Sequence, residues 1–217
     1  MTDFAVARRM MVDGQVRPAD VTDLRLLAAF QDVPRETFVP ASMAGLAYLD
    51  IDVAASDSGA RRLLKPMVLA KLIQAAEIEG SDKVLDVGCA SGYSAALLSN
   101  LAGQVVALEE DAALARRASE ALGGLTHVTV VSGKLSAGWP SGAPYDAIIV
   151  NGATETVPQT LLAQLKDGGR LVCVLGSGPS GKATLYQRSG GETGSRALFD
   201  ANAPLLDGFA KPAAFAF

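Results

Sequence analysis

The fold of this chain is constrained most by an alternation of apolar runs with helical segments between residues 83 and 175. The apolar runs are continuous, which is typical of parallel strands that are buried on both faces. We predict strands at 83–88, 104–108, 127–131, 145–150 and 170–175. The segments between them, such as 91–101 and 111–122, have the pattern of helices. This alternation predicts an α/β fold, Rossmann-like, with a doubly wound and mostly parallel sheet.

The two ends of the chain have other patterns, and we expect three parts within a single domain over residues 1–217. Residues 1–65 are predicted to form an N-terminal helical and loop segment. Residues 66–176 form the core, which opens with a helix whose first turn holds Pro66. Residues 177–217 begin with a turn-rich loop, and an alternating stretch then predicts antiparallel C-terminal strands.

One helix of the core is predicted just before the last parallel strand. Residues 158–165 carry the pattern of a helix, and the sequence Asp-Gly-Gly follows at 167–169. Because glycine commonly ends a helix, this helix is expected to stop at the Gly168-Gly169 pair.

The composition indicates a folded core and disfavours several kinds of partner. Hydrophobic residues make up 49% of the chain and charged residues 19%, which is too apolar a mixture for a disordered protein. The net charge is -4, and no stretch supplies the basic face of a nucleic-acid-binding protein. No apolar run reaches the ~20 residues of a membrane span, and the N-terminus lacks the apolar core of a signal peptide. We expect a cytoplasmic protein with no nucleic-acid or membrane partner, and no heptad pattern or large apolar stripe indicates an oligomeric state.

The chain holds two cysteines and one histidine, which disfavours a disulfide framework and a metal site. Cys173 lies in an apolar run and is predicted to be a buried core residue. Cys89 lies in a glycine-containing turn. His127 stands just before an apolar run and is predicted to have a structural place at the edge of a strand. No spacing supports a catalytic triad or a set of metal ligands, so no metal is expected.

A glycine-containing turn after the first core strand is the strongest candidate for a ligand site. The turn is Gly-Cys-Ala-Ser-Gly at 88–92, and a helix follows it. Glycine lets the backbone turn sharply and approach a ligand closely. Glu109 ends the second strand 21 residues after Gly88, from 109 − 88. A carboxylate at that place accepts hydrogen bonds from ribose hydroxyls, which predicts a cofactor that contains adenosine.

The residues around the turn favour S-adenosylmethionine over a dinucleotide. The dinucleotide pattern needs glycine where this chain has Ala90 and Tyr93. Asp86 would be unfavourable beside a pyrophosphate, but it suits a cofactor that carries a sulfonium and an ammonium group. The alternative is an ordinary strand, turn and helix without a ligand. The cofactor contacts predicted from this region are Asp86, Gly88, Cys89, Ala90, Gly92, Glu109 and Glu110.

The stretch VLDVGCASGYSAALLS resembles the first motif of class I S-adenosylmethionine-dependent methyltransferases. From residue 9 to about 176, the chain resembles the protein-L-isoaspartate O-methyltransferase family; the segment VPRETFVP at 33–40 is fairly specific to it. The resemblance implies a class I methyltransferase fold and methyl transfer to a carboxylate. It also implies cofactor contacts near the adenine at Gly133, Lys134 and Leu135.

The chain departs from the family pattern at three places. Ala90 stands where the family has the middle glycine of Gly-x-Gly-x-Gly, and Gly133-Lys134-Leu135 stands where it has Gly-Asp-Gly. In the active-site loop, Arg62 and Leu64 replace the hydroxyls of a Thr-x-Ser pattern. The residues by which the family recognises the isoaspartyl group are therefore not carried over to this chain.

The altered loop still suits an acidic acceptor. Arg61, Arg62 and Lys65 form a local cationic cluster, and the guanidinium group of arginine matches a carboxylate. We expect Arg62 or Lys65 to face the acceptor; the alternative is a solvated basic loop. Asn151, just past the fourth core strand, is expected to donate to the substrate or to cap a turn. Because a carboxylate is ionised at neutral pH, no general base is required.

Three functions follow from these patterns. The first is an S-adenosylmethionine-dependent methyltransferase of the isoaspartyl type, whose acceptor is a carboxylate of a protein or peptide. The second is a methyltransferase of the same fold that acts on a small acidic molecule. The third is a cofactor-binding protein with little catalysis.

Overall fold

The computed structural model describes residues 3–212 of the chain. Six α-helices lie within them: α1 Phe4–Met11, α2 Leu24–Asp32, α3 Pro66–Ala75, α4 Tyr93–Leu98, α5 Ala112–Leu122 and α6 Gln159–Leu162. The strands are β1 Val53–Ala54, β2 Arg62–Leu63, β3 Lys83–Val87, β4 Gln104–Glu109, β5 Val128–Ser132, β6 Tyr145–Thr154, β7 Leu165–Leu175, β8 Lys182–Ser189 and β9 Glu192–Asp200. Short helical turns fill much of the N-terminal segment, as at Arg35–Phe38 and Ala41–Leu46.

Seven strands form one sheet in the order β5-β4-β3-β6-β7-β8-β9. The five strands from β5 to β7 run parallel, and β8 and β9 are antiparallel additions at one edge. The chain leaves β3 toward β4 and β5, and it later returns to the other side of β3 with β6. This reversal confirms the predicted doubly wound, mostly parallel sheet with antiparallel C-terminal strands. A separate two-stranded hairpin pairs β1 with β2.

The central strands are buried on both faces because helices or loops cover each side. One face packs against the helices α2 to α5, through side chains such as Phe30, Leu72 and Leu97. The other face packs against α6 and the loops near it, through Leu161 and Leu206. Both clusters are apolar, which explains why β3 and β6 appear in the sequence as continuous apolar runs.

The helix predicted at 158–165 is shorter than expected. It spans Gln159–Leu162, and the Gly168-Gly169 pair lies inside β7 instead of ending the helix. The reason is a register shift: Leu165 pairs with Tyr145, and pairing resumes only at Arg170 with Ala147. Gly168 has φ +81°, so it serves the irregular part of a strand rather than a helix end.

After β9 the chain returns across the carboxyl end of β6. The amide of Ala153 donates to Pro204 O at 2.7 Å, and the amide of Leu206 donates to Ala153 O at 3.0 Å. These bonds place Leu206, which is 2% exposed, over the switch point of the sheet. None of the helices in the described part of the chain is long and apolar enough to cross a lipid bilayer.

Candidate cofactor site

The candidate site lies where the parallel strands β3, β4 and β6 end side by side. Val87 pairs with Leu108 on one side and with Val150 on the other. The residues that follow them therefore meet at one edge of the sheet, and the chain direction reverses at this point. Open α/β sheets bind ligands in the crevice outside such a switch point.

The turn between β3 and α4 has three residues with positive φ. Gly88 has φ +77° and Gly92 has φ +100°, which favours glycine at both positions. Ala90, the residue that departs from the family pattern, has φ +50°. A Cβ atom at Gly92 would lie 3.0 Å from Leu122 Cδ1, so this glycine also permits close packing against α5. The turn thus has the sharp geometry that its glycines predict.

Glu109, at the end of β4, is fully buried and is surrounded by hydrogen-bond donors. Oε1 accepts from the amides of Glu110 at 2.9 Å and Asp111 at 3.1 Å. Oε2 accepts from the amide of Ala90 at 2.7 Å and from Arg61 Nη2 at 3.1 Å. The carboxylate therefore links the glycine turn to the start of α5 and fixes the position of both.

Two side chains cover the glycine turn. A Cβ atom at Gly88 would lie 2.6 Å from Arg61 Nη2 and 3.5 Å from Leu206 Cδ1. The space left beside the turn is ≈ 10 Å³, about what one water molecule needs. In this conformation, the face of Gly88 that a ligand would approach is filled by groups of the chain itself.

Asp86 lies below the turn and is fully buried. Its carboxylate accepts from Ser94 Oγ at 2.7 Å and from the Nδ2 group of Asn151. Burial raises the pKa of Asp86 to about 7, and the nearby Glu109 carboxylate adds to the rise, whereas the two hydrogen bonds oppose it. A cation placed beside this group would favour its ionised form.

The loop after β5 reaches the same edge of the sheet. The amide of Gly133 donates to Glu109 O at 3.1 Å, and the amide of Leu135 donates to Glu110 Oε2 at 3.3 Å. A Cβ atom at Gly133 would lie 3.6 Å from a ring carbon of Trp139. The stretch that includes Lys134 is thus beside the acidic end of β4, where the resemblance implies the adenine contacts.

The three residues predicted to contact the methyl acceptor lie in different surroundings. Arg62 is exposed, and its Nη1 donates to Asp52 O at 3.1 Å. Lys65 precedes α3, and its amide donates to Asp52 Oδ1 at 2.8 Å. Asn151 lies inside β6 rather than past it, because the strand continues to Thr154. Its Nδ2 group donates to Asp86 and to Val87 O, so it supports the cofactor side of the site.

Two arginines that were not predicted as site contacts lie beside the glycine turn and the helix after it. Arg61 was one member of a cationic cluster, but it is the cation that reaches Glu109. Arg35, in the VPRETFVP segment, is fully buried and donates to Ala47 O at 2.7 Å and Leu64 O at 2.8 Å. Its guanidinium carbon lies 4.7 Å from the centre of the Tyr93 ring. The sequence signal that could have identified Arg35 was the family-specific segment around it. Arg35 connects the loop that contains Leu64 to Tyr93 of α4.

The structure places both cysteines in the core and the histidine beside a strand. Cys173 is fully buried, and burial raises its pKa to about 12. Cys89 is also buried, which holds the pKa of its thiol well above the usual range. His127 stands directly before β5, and its Nε2 lies 3.0 Å from Ser99 O. Between residues 3 and 212, no group of three or more His, Cys, Asp or Glu side chains is placed to hold a metal ion.

The carboxylates and the glycine of this site suit an S-adenosylmethionine-type cofactor. Glu109 has the carboxylate that a ribose hydroxyl would need, Asp86 has a carboxyl group below the turn, and Gly88 has no side chain to keep a ligand from its backbone. The position directly over Gly88 is held by Arg61, whose buried Nε has no acceptor among the described residues. The residues therefore fit the cofactor once this side chain moves away.

Comparison with known proteins supports the same family. The model of the protein-L-isoaspartate(D-aspartate) O-methyltransferase family matches residues 9–200. The chain is 41% identical over 181 residues to protein-L-isoaspartate O-methyltransferase 1 of Rhodopseudomonas palustris (strain HaA2), which covers 82% of this chain and 73% of that protein. It is 43% identical over 187 residues to the enzyme of Methylorubrum extorquens (strain PA1), covering 85% and 80%.

Solved structures show the corresponding fold. A protein-L-isoaspartate O-methyltransferase matches with a TM-score of 0.79 and 25% identity, covering 93% of this chain and 66% of that one. A Plasmodium falciparum candidate of the same kind, in complex with S-adenosyl-L-homocysteine, matches in fold with a TM-score of 0.76 at 16% identity, covering 95% and 99%. The chain belongs to the protein-L-isoaspartate(D-aspartate) O-methyltransferase family.

Proposed function

We propose that this protein is an S-adenosylmethionine-dependent O-methyltransferase that methylates a carboxylate of a protein or peptide, with isoaspartyl groups as the acceptor class. The observation that carries this proposal is the buried Glu109 carboxylate at the end of β4, which faces the glycine turn across the switch point. Family membership supports the activity, since relatives at about 40% identity carry that name.

The residues of the chain would bind and orient the reactants rather than exchange protons with them. The cofactor supplies a methyl group on a positively charged sulfur. Glu109 would accept a ribose hydroxyl at the position that Arg61 holds, and Asp86 would place negative charge near the cationic part of the cofactor. An acceptor carboxylate is ionised at neutral pH and needs no base, so alignment of the two reactants and exclusion of water remain as the tasks of the protein.

The acceptor would enter beside the hairpin β1–β2. Arg62, Leu64 and Asn151 line the small space next to Gly88. Arg62 is exposed and within this lining, so a modest change of its side chain would bring a guanidinium to an incoming carboxylate. Lys65 adds a second positive charge at the start of α3. These two cations are the proposed acceptor contacts.

A small acidic molecule is the second candidate for the acceptor. The observation that favours it is the replacement of the family's two loop hydroxyls by Arg62 and Leu64, because cations bind any carboxylate and do not require a peptide backbone. A protein that binds the cofactor with little catalysis is the third candidate, favoured by the Arg61 side chain over Gly88.

An assay with methyl-labelled S-adenosylmethionine separates these candidates. The acceptor is a peptide with one isoaspartyl residue, and the matched control is the same peptide with ordinary aspartate. We expect label in the isoaspartyl peptide, as a base-labile ester. Label in small dicarboxylic acids alone would favour the second candidate. Binding of S-adenosylhomocysteine by calorimetry without any labelled product would favour the third.

A further inference from the structure

The Arg61 guanidinium lies where the cofactor would meet the protein. Arg61 lies directly before β2, in the hairpin that β1 and β2 form over residues 53–63. The side chain is 10% exposed and forms an ion pair with Glu109 at 3.1 Å. Its Nη2 atom also lies directly over Gly88. One side chain therefore covers both the carboxylate and the glycine that the cofactor requires.

The hydrogen bonds to Glu109 leave the cofactor one position to take. A carboxylate has about four acceptor sites, two on each oxygen. In this structure each oxygen accepts from two donors, and three of these donors are backbone amides, of Ala90, Glu110 and Asp111. The backbone amides are held by the turn and by the start of α5. The remaining donor, Arg61 Nη2, belongs to a flexible side chain and can leave.

The ion pair is also incompletely satisfied. Within the described part of the chain, Arg61 Nε is buried without a hydrogen-bond acceptor. A buried ion pair gains little net stability because both charges lose their hydration. A buried donor without a partner adds a further cost. The unsatisfied Nε therefore lowers the free-energy cost of releasing the pair.

The backbone of the hairpin is better anchored than the side chain. The amide of Ala55 donates to Arg61 O at 2.9 Å, and Val53 pairs with Leu63. Arg117 of α5 donates to Ala55 O at 3.1 Å and holds the hairpin against the helix. Release of Glu109 therefore requires rotation of the Arg61 side chain, with the hairpin kept in place.

We propose that Arg61 is an internal competitor of the cofactor: it occupies the Glu109 carboxylate in the cofactor-free protein and must leave it when S-adenosylmethionine binds. The inference rests on the proposed function, because it assumes that this crevice takes the cofactor. Its consequence is a lowered cofactor affinity, since part of the binding free energy is spent on releasing the ion pair.

The test is the affinity for S-adenosylhomocysteine, measured by titration calorimetry on the wild type and on Arg61→Met. This ligand has a neutral sulfur, so the loss of the Arg61 charge does not act through a sulfonium. Methionine keeps the apolar part of the side chain but has no donor for Glu109. We expect Arg61→Met to bind at least about tenfold more tightly than the wild type. The matched control is Arg196→Ala, which removes an exposed cation of β9 and should leave the affinity unchanged.

The outcomes separate this inference from the proposed function. If the wild type binds and Arg61→Met binds equally or more weakly, the competitor role is overturned and the proposed function stands. If neither protein binds at millimolar ligand, both fall. Circular dichroism reports whether the variant is folded. Should it not fold, Arg61→Gln serves instead: its amide can still donate to Glu109 but carries no charge, so a smaller gain in affinity in the same direction is expected.

Discussion

The glycine turn at 88–92 and the hairpin at 53–63 lie side by side, but they depart from the family pattern to different degrees. The turn differs by Ala90 alone and keeps its sharp geometry, with Glu109 bound to it. The hairpin and the loop after it have lost both hydroxyls, and Arg61 crosses from the hairpin to the turn. A backbone cradle tolerates a methyl group, whereas a loop that recognises a substrate depends on each side chain.

The same contrast separates the two buried carboxylates of the site. Glu109 is paired with a cation and with three amides, and its role is to hold the turn. Asp86 has hydrogen-bond partners, but among residues 3–212 no cation contacts it, and burial raises its pKa to about 7. Arg61 of the hairpin thus stabilises the negative charge of Glu109. The charge of Asp86 would be stabilised by a cationic ligand.

The largest effect on cofactor affinity is expected when Glu109, which links the glycine turn to the end of β4, is removed. Glu109→Ala leaves three backbone amides without their acceptor and removes the ribose contact. We expect the affinity for S-adenosylhomocysteine to fall by at least about 100-fold, since hydrogen bonds to a charged group are worth about 1.5–3 kcal/mol each. Calorimetry measures the loss, and Glu120→Ala, at an exposed site of α5, is the control. An affinity within about twofold of the wild type would contradict the assigned role of Glu109.

The buried proton of Asp86 predicts a pH-dependent stability. Its folded pKa of about 7 lies above the ordinary value of 3.8, so the native state binds more protons than the unfolded state between these values. The contribution of Asp86 to stability is therefore greatest at low pH and is lost as pH rises toward 7. Relative to Asp86→Asn, the wild type should lose about 2 kcal/mol of unfolding free energy between about pH 5 and about pH 7.

Urea denaturation of the wild type and of Asp86→Asn at these two pH values measures that difference. Asparagine keeps the size of the side chain, and the hydroxyl of Ser94 can serve as donor or acceptor. Asp207→Asn, at an exposed site, is the control. A constant difference between wild type and Asp86→Asn across the range would show that Asp86 is already ionised.

The proposed acceptor contacts, Arg62 and Lys65, are tested by replacing both residues together. The double variant Arg62→Ala, Lys65→Ala should raise the KM for the acceptor about tenfold, because a charged contact to a carboxylate is worth roughly 1–2 kcal/mol. The affinity for S-adenosylhomocysteine should change little, since neither side chain contacts Glu109. Steady-state kinetics and calorimetry together give both values. An unchanged KM would identify the pair as a solvated basic loop.

The smallest effect on stability is expected from replacing Ala90, the residue of the turn that departs from the family pattern. Ala90 has φ +50°, a conformation that costs an alanine about 1 kcal/mol. Ala90→Gly should therefore raise the free energy of unfolding by up to about 1 kcal/mol, with part of the gain offset by the greater freedom of glycine in the unfolded chain. Urea unfolding measures the change, and Ala112→Gly in the first turn of α5 provides a helix position where destabilisation is expected. Lower stability of Ala90→Gly would mean that the turn is not strained.

The local sequence pattern was sufficient to predict the parallel sheet of this protein and the turn after its first strand. The apolar runs predicted the parallel strands because both faces of the sheet are covered, and the glycines of the turn predicted a sharp bend after β3. The spacing from Gly88 to Glu109 predicted that the two would meet, since parallel neighbours end at the same edge. Local pattern failed at 158–169, where a register shift between β6 and β7 uses the Gly-Gly pair inside a strand.

The sequence by itself thus determined the fold class, the turn and the carboxylate opposite it, because these depend on local conformation and on strand periodicity. The tertiary structure alone decided which cation enters the site. Adjacent residues of an extended segment point to opposite sides, so Arg61 turns inward and Arg62 turns to solvent only once the hairpin is placed against the sheet. Burial likewise decided the pKa of Asp86, because desolvation depends on what surrounds a side chain and not on its neighbours in the chain.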